Sequence, residues 1–128
     1  MRILFLGDVV GISGCSKLTS SLLIEIKSKK IDFVIVNGEN AAAQGVGLTE
    51  EICKDFYNCG VNVITTGNHV WDQKEIMKYI EKEERLLRPK NLFEPAPGRG
   101  FQIFKTDKNI RVGVLNLMGN VFMKKCED

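Results

Sequence analysis

Ile3-Leu4-Phe5-Leu6-Gly7-Asp8 is the stretch that decides the fold. Four consecutive apolar residues with no polar alternation predict a strand buried on both faces, the pattern of a parallel sheet. The glycine after them lets the chain turn sharply, and the aspartate delivers a carboxylate at the strand's carboxyl end. The arrangement recurs twice. An apolar run over residues 31–36 leads into Asn37-Gly38-Glu39-Asn40, and one over 61–66 leads into Gly67-Asn68-His69.

Helical patterns lie between these runs. Residues 17–29 place Leu18, Leu22, Leu23 and Ile26 at helical spacing. Residues 49–59 open with a Thr49 cap and two acids, Glu50 and Glu51, in the first turn, and Gly60 stands where a helix stops. A third helix is predicted from Asp72 to about residue 83, with Asp72 as cap and Glu75 as its capping-box partner. The order β-α-β-α-β-α is that of an α/β protein with a parallel sheet and helices on its faces. Pro89, Pro95, Pro97, Gly98 and Gly100 mark an irregular stretch. Two more strands are expected at 101–105 and 110–116, joined by a turn at Thr106-Asp107-Lys108-Asn109. No repeat, low-complexity tract or linker interrupts the chain, and the strand after residue 110 is left without a covering helix.

Composition narrows the function classes. The chain has 128 residues, 44% hydrophobic and 27% charged, so it is neither disordered, collagen-like nor a disulfide scaffold. Eighteen basic against sixteen acidic residues leave +2, interleaved rather than clustered, which is no footprint for nucleic acid. Asp8 cuts the first apolar run after four residues, too soon for a secretory signal, and no run approaches a membrane span. Cys15, Cys53, Cys59 and Cys126 form no CxxC pair, so reduced thiols and a cytoplasmic location are expected.

The polar residues at the three strand ends are more telling. Asp8, Glu39, Asn40, Asn68 and His69 all fall at the carboxyl edge of the sheet, where open α/β sheets bind ligands. Each alone has a bland reading as a cap, a turn or a satisfied histidine. Their common placement favours a site. Carboxylate and amide oxygens suit divalent cations such as Mn²⁺, Fe²⁺ or Mg²⁺. One carboxylate can bridge two ions roughly 3.5–4 Å apart, as in two-metal phosphatases and nucleases. A histidine beside such ions can protonate a leaving alkoxide. A dinucleotide site is the weaker reading: Gly7, Gly11 and Gly14 are spaced G-x-x-x-G-x-x-G, and only Glu39, not Asp32, sits at a strand end. Trp71 is equally a base-pocket wall or a core aromatic. Arg88 and Arg99 read as phosphate contacts or, by default, solvated arginines, and Lys124 and Lys125 as a polar end.

The residues Gly7-Asp8, Gly38-Glu39-Asn40 and Gly67-Asn68-His69 resemble the metallophosphoesterase (calcineurin-like) signature. More narrowly, residues 2–11, 36–42 and 66–72, with Arg88-Pro89, Asn91, Pro97-Gly98 and Gly100, resemble the YmdB-like branch, whose members are 2′,3′-cyclic-nucleotide phosphodiesterases with phosphatase activity. The resemblance implies that Asp8 ligates a first metal, Glu39 bridges two, Asn40 ligates or supports the first, Asn68 ligates the second, and His69 donates the proton. It also implies a small phosphodiester or cyclic-nucleotide substrate and two divalent ions, Fe or Mn before Mg.

The same resemblance implies a chain about twice as long, with three further histidines in its second half. Here His69 is the only one. Two ions need on the order of ten ligand positions, and four side chains fill about half of them. Residues 1–128 are therefore expected to be the amino-terminal part of one metallophosphoesterase domain, from a truncated or split enzyme completed by a separate carboxyl-terminal half. The second reading is a non-catalytic nucleotide- or phosphate-binding module, homo-oligomeric through an exposed sheet edge.

Overall fold

The three apolar runs become neighbouring strands of one parallel sheet. The computed structural model describes residues 1–123 and 125–127. In chain order its elements are β1 (Ile3–Leu6), α1 (Gly11–Lys29), β2 (Phe33–Asn37), α2 (Glu50–Asn58), β3 (Val63–Thr65), α3 (Ile76–Ile80), β4 (Leu86–Leu87), β5 (Phe101–Lys105) and β6 (Arg111–Leu115). The sheet runs β1-β2-β3-β4, all parallel, with Leu4 beside Val34 and Val36 beside Ile64. Parallel crossovers are right-handed, so a strand order that steps one way puts every helix on the same face. Leu18 and Leu22 of α1, Cys53 and Phe56 of α2, and Ile76 and Ile80 of α3 accordingly share one core with Val34, Val36 and Ile64. Helices on both faces, as the β-α alternation suggested, are not what forms.

The other face is covered by strands. β5 and β6 form an antiparallel pair of their own, and Val112 and Val114 pack on Phe33, Val63 and Leu87. The rings of Phe33 and Phe104 lie 5.9 Å apart. Asn116 pins the hairpin by donating from Nδ2 to Thr66 O at 2.8 Å and Leu87 O at 3.1 Å. At its other end Lys108 pairs with Asp32. The layers are helices, parallel sheet and hairpin.

Two helices differ from expectation. α1 begins at Gly11 rather than near residue 17. Its first turn, Gly11 to Gly14, is too small and polar to carry a periodic signal, and it packs tightly: a Cβ at Gly14 would lie 3.2 Å from Val9 Cγ1. α3 is only five residues, because its intended caps bond elsewhere. The Asp72 carboxylate pairs with His69, and Glu75 Oε1 accepts from Glu50 N at 3.3 Å. α2 forms as read, with Thr49 Oγ1 accepting from Ile52 N at 3.2 Å.

Arg88 is neither solvated nor available for a phosphate. It follows the unanticipated two-residue β4 and is 3% exposed. Nε donates to Pro97 O, Nη1 to Pro89 O and Lys90 O, and Nη2 to Ala96 O and Glu94 Oε1, all between 2.8 and 3.3 Å. The irregular stretch after β4 is folded around this guanidinium. Trp71 packs against the helix-side core. Lys125 is exposed; Lys124 lies outside the described residues.

As the sequence suggested, β6 has no helix over its outer face among the described residues, and its Leu115 is 54% exposed. β6 is paired with β5, and its Val112 and Val114 are buried. β1, by contrast, ends the sheet with apolar residues on both faces, and Ile3 and Phe5 are 46% and 59% exposed.

Candidate functional site

The carboxyl ends of β1, β2 and β3 are held together by backbone bonds. Val9 N donates to Asn37 O at 3.1 Å, Gly11 N to Asn40 O at 2.9 Å, and Gly38 N to Thr65 O at 3.0 Å. A parallel bridge links Val10 and Asn40 beyond the strands. These bonds fix the three loops that carry the polar residues. They also occupy the Gly11 amide at the start of α1, which a dinucleotide pyrophosphate would need. Asp32, the alternative ribose acid, sits at the opposite end of β2, where it pairs with Lys108 and accepts from Arg2 N at 2.7 Å.

All five sequence-derived residues come together at this edge. Asn40 Nδ2 donates to Asp8 Oδ1 at 2.7 Å. Asp8 has φ 46°, a left-handed conformation that aspartate tolerates better than most residues and that turns its carboxylate out of the strand direction. Glu39 is half-buried, and its Oε2 is buried with no hydrogen-bond partner. Burial pushes the Glu39 carboxyl above its ordinary value and the Asp8 charge adds to this. The His69 imidazole and the backbone amides of His69 and Asn68 pull it back. Room for that carboxylate exists only because residue 67 is glycine. A Cβ there would overlap Glu39 Oε2 and lie 2.6 Å from Cδ. Asn37 Oδ1 is another buried oxygen without a partner.

Asp72 belongs to the site and was not expected there. Its Oδ2 lies 2.6 Å from His69 Nδ1. That bond places the Nδ1 proton toward the carboxylate and leaves Nε2 outside this contact. The signal available in the sequence was a carboxylate three residues after a histidine, which reads equally well as a helix cap. We expect Asp72→Leu to shift the neutral imidazole toward the Nε2–H tautomer. The ¹⁵N spectrum of the chain's one imidazole reports this directly, and unchanged nitrogen shifts would remove Asp72 from the role. Arg99 is not drawn in: it pairs with Glu84 at 3.3 Å.

Among the described residues no group of three or more His, Cys, Asp or Glu side chains is placed to hold a metal. The oxygen donors here are the two carboxylates, Asp8 and Glu39, and the two amides, Asn40 and Asn68. That donor set suits a hard divalent cation. A cation would also offset the two features that are otherwise costly, the unpartnered Glu39 Oε2 and its proximity to Asp8.

A family model described as YmdB-like protein matches residues 4–128. The chain belongs to the YmdB-like family. Within it, the chain is 43% identical over 129 residues to a Bacillus subtilis protein named 2′,3′-cyclic-nucleotide 2′-phosphodiesterase, covering 100% of this chain and 48% of that one. It is 36% identical to a Mycoplasma pneumoniae putative phosphatase/phosphodiesterase, over 93% of this chain and 43% of the relative. Two solved structures share the fold. A hypothetical protein from Thermus thermophilus superposes with TM-score 0.91 at 34% identity, covering 100% of this chain and 49% of that one. A Mycoplasma pneumoniae phosphatase gives 0.83 at 33%, covering 93% and 43%. The chain thus spans about half the length of the YmdB-like relatives it matches. The metallophosphoesterase-type α/β architecture read from the sequence is the one observed.

Proposed function

We propose that residues 1–128 are the amino-terminal part of a metallophosphoesterase domain and supply one half of a two-metal phosphodiesterase centre. The observation that carries this is the placement of Asp8, Glu39, Asn40, Asn68 and His69 at the carboxyl ends of three neighbouring strands, with Glu39 Oε2 buried and without a hydrogen-bond partner. Asp8, Asn40 and Glu39 would hold one divalent ion, and Glu39 with Asn68 a second, Mn or Fe before Mg. The ions, when bound, supply charge neutralisation for a phosphodiester and an activated water. The chain's own contribution is to place two carboxylates at fixed positions and, from the imidazolium form of His69, to donate the Nε2 proton to the departing oxygen, with the Nδ1 proton held by Asp72. The names of the relatives support a small phosphodiester, including a 2′,3′-cyclic nucleotide, as substrate. The four free cysteines agree with a cytoplasmic setting, and no helix among the described residues is long and apolar enough to cross a membrane.

The test is a Mn²⁺ titration followed by thermal unfolding and by hydrolysis of bis-p-nitrophenyl phosphate. Binding at ten times Kd should raise Tm by roughly 3–6 °C. Hydrolysis by this chain alone would overturn the half-site reading. Glu39→Gln should abolish the Mn²⁺ shift and, without metal, raise Tm at neutral pH. The sign follows from the raised folded-state pKa. The ionised Glu39 is penalised above that pKa, and the penalty fades as pH falls toward its ordinary value of 4.5. The stabilisation by Glu39→Gln should therefore shrink over the same fall. A second reading, a phosphate-binding module without turnover, is favoured by the single imidazole. Binding of inorganic phosphate without Mn²⁺ would support it.

A further inference from the structure

We propose that Gln73 is a positioning residue that fixes the Glu39 carboxylate relative to the His69 imidazole, by latching the 41–47 loop onto the turn after His69. This rests on the reading of Glu39 and His69 as parts of one centre and deepens it by naming what sets their spacing. Sheet bonding ends before these loops. The bond from Gly38 N to Thr65 O joins the carboxyl ends of β2 and β3, and beyond it both loops leave the sheet. Gln73 crosses between them. Its Nε2 donates to Val46 O at 3.1 Å. Its stem is seated against Gly47, where a Cβ would lie 2.8 Å from Gln73 Cγ, 3.2 Å from Gln73 N and 3.3 Å from Asp72 Cβ. Loop and turn thus touch with no room for one further carbon.

Each side of this contact is one link from a group of the site. On the loop side, Gly47 N donates to Glu39 O at 2.7 Å. Gly47 O accepts from Ala42 N at 2.9 Å, which closes the loop on itself. On the turn side, Gln73 follows Asp72, whose carboxylate lies 2.6 Å from His69 Nδ1 and whose N donates to His69 O at 3.1 Å. A displacement of Gln73 is therefore passed to Glu39 through Gly47 and to His69 through Asp72. Glu75 braces the same turn by accepting from Glu50 N at 3.3 Å, but that bond ends on α2 rather than on the loop. A neutral amide suits position 73: it holds the Val46 carbonyl without adding a charge next to the Asp72–His69 pair.

The experiment compares the full chain with Gln73→Met, which keeps the stem and removes the donor, and with Gln73→Ala, which removes both. Exchange of the Gly47 amide should quicken roughly three- to ten-fold in Gln73→Met, the equivalent of one hydrogen bond, and further in Gln73→Ala. Mn²⁺ affinity should fall by a similar factor. At equal occupancy, the broadening of the His69 ring protons by Mn²⁺, which is steeply distance-dependent, should differ between the chain and its variants. A lower Tm with Gly47 exchange, Mn²⁺ affinity and ring broadening all unchanged would overturn the proposal. Gly47→Ala strikes the same contact from the loop side and should reproduce the loss of affinity with Gln73 intact; unchanged affinity there would overturn it too. Failure of the underlying reading looks different. An unsubstituted chain without any Mn²⁺ response sinks the metal centre, while Gly47 exchange and the His69 ring ¹⁵N shifts still decide the latch.

Discussion

Gly67→Ala should abolish stabilisation by Mn²⁺ and lower Tm while leaving the sheet folded. The added Cβ would overlap Glu39 Oε2 and stand 2.6 Å from Cδ, so either the carboxylate swings away or the turn after β3 moves. Both are costly. Glu39 is held between loops whose backbone bonds tie β1, β2 and β3 together, and overpacking of this kind costs about 1–3 kcal/mol. For a chain of this size that is a Tm loss of roughly 4–10 °C. The double variant Gly67→Ala/Glu39→Ala provides the check. With the carboxylate gone, the new methyl group has room, and the pair should be less destabilised than the two single effects summed. Additive effects, or a Gly67→Ala protein that still responds to Mn²⁺, would show that the Glu39 pocket is not where the cation binds.

Arg88→Leu should be the most destabilising single change outside the site, by about 3 kcal/mol or more. The guanidinium is 3% exposed and its N–H groups serve Pro89, Lys90, Ala96 and Pro97 carbonyls as well as Glu94. Leucine fills part of the volume and leaves those carbonyls without donors. Lysine keeps the charge but cannot reproduce the planar fork, so Arg88→Lys should recover little. Thermal unfolding of both variants measures this. A drop of less than about 3 °C for Arg88→Leu would mean that the loop reorganises to recruit water.

The order of strands and helices was legible because the signals are local. Continuous apolar runs mark buried strands, and the Thr49 cap and Gly60 stop bracket α2. The candidate site was legible for the same reason, since each polar cluster comes directly after a strand. What stayed hidden depends on partners distant in sequence or on competing bonds. Asp72 carries the pattern of a helix cap, but its carboxylate goes to His69, and α3 shortens as a result. Arg88 cannot be distinguished from a surface arginine until the Pro97 and Ala96 carbonyls return to it. Leu86-Leu87 is too short to carry periodicity, and becomes a strand only by pairing with β3. The packing of all helices on one face follows from strand order, which no single segment encodes.

The left-handed backbone at Asp8 limits what can replace it. At φ 46° most side chains are strained by about 1–2 kcal/mol, whereas asparagine is tolerated and glycine is free. Charge and backbone shape therefore act as two independent filters on this one position. Asparagine passes the conformational filter and fails the electrostatic one; glutamate does the reverse. A saturation library at position 8, sorted once for folding and once for cation response, should return two sets of survivors that intersect at aspartate alone.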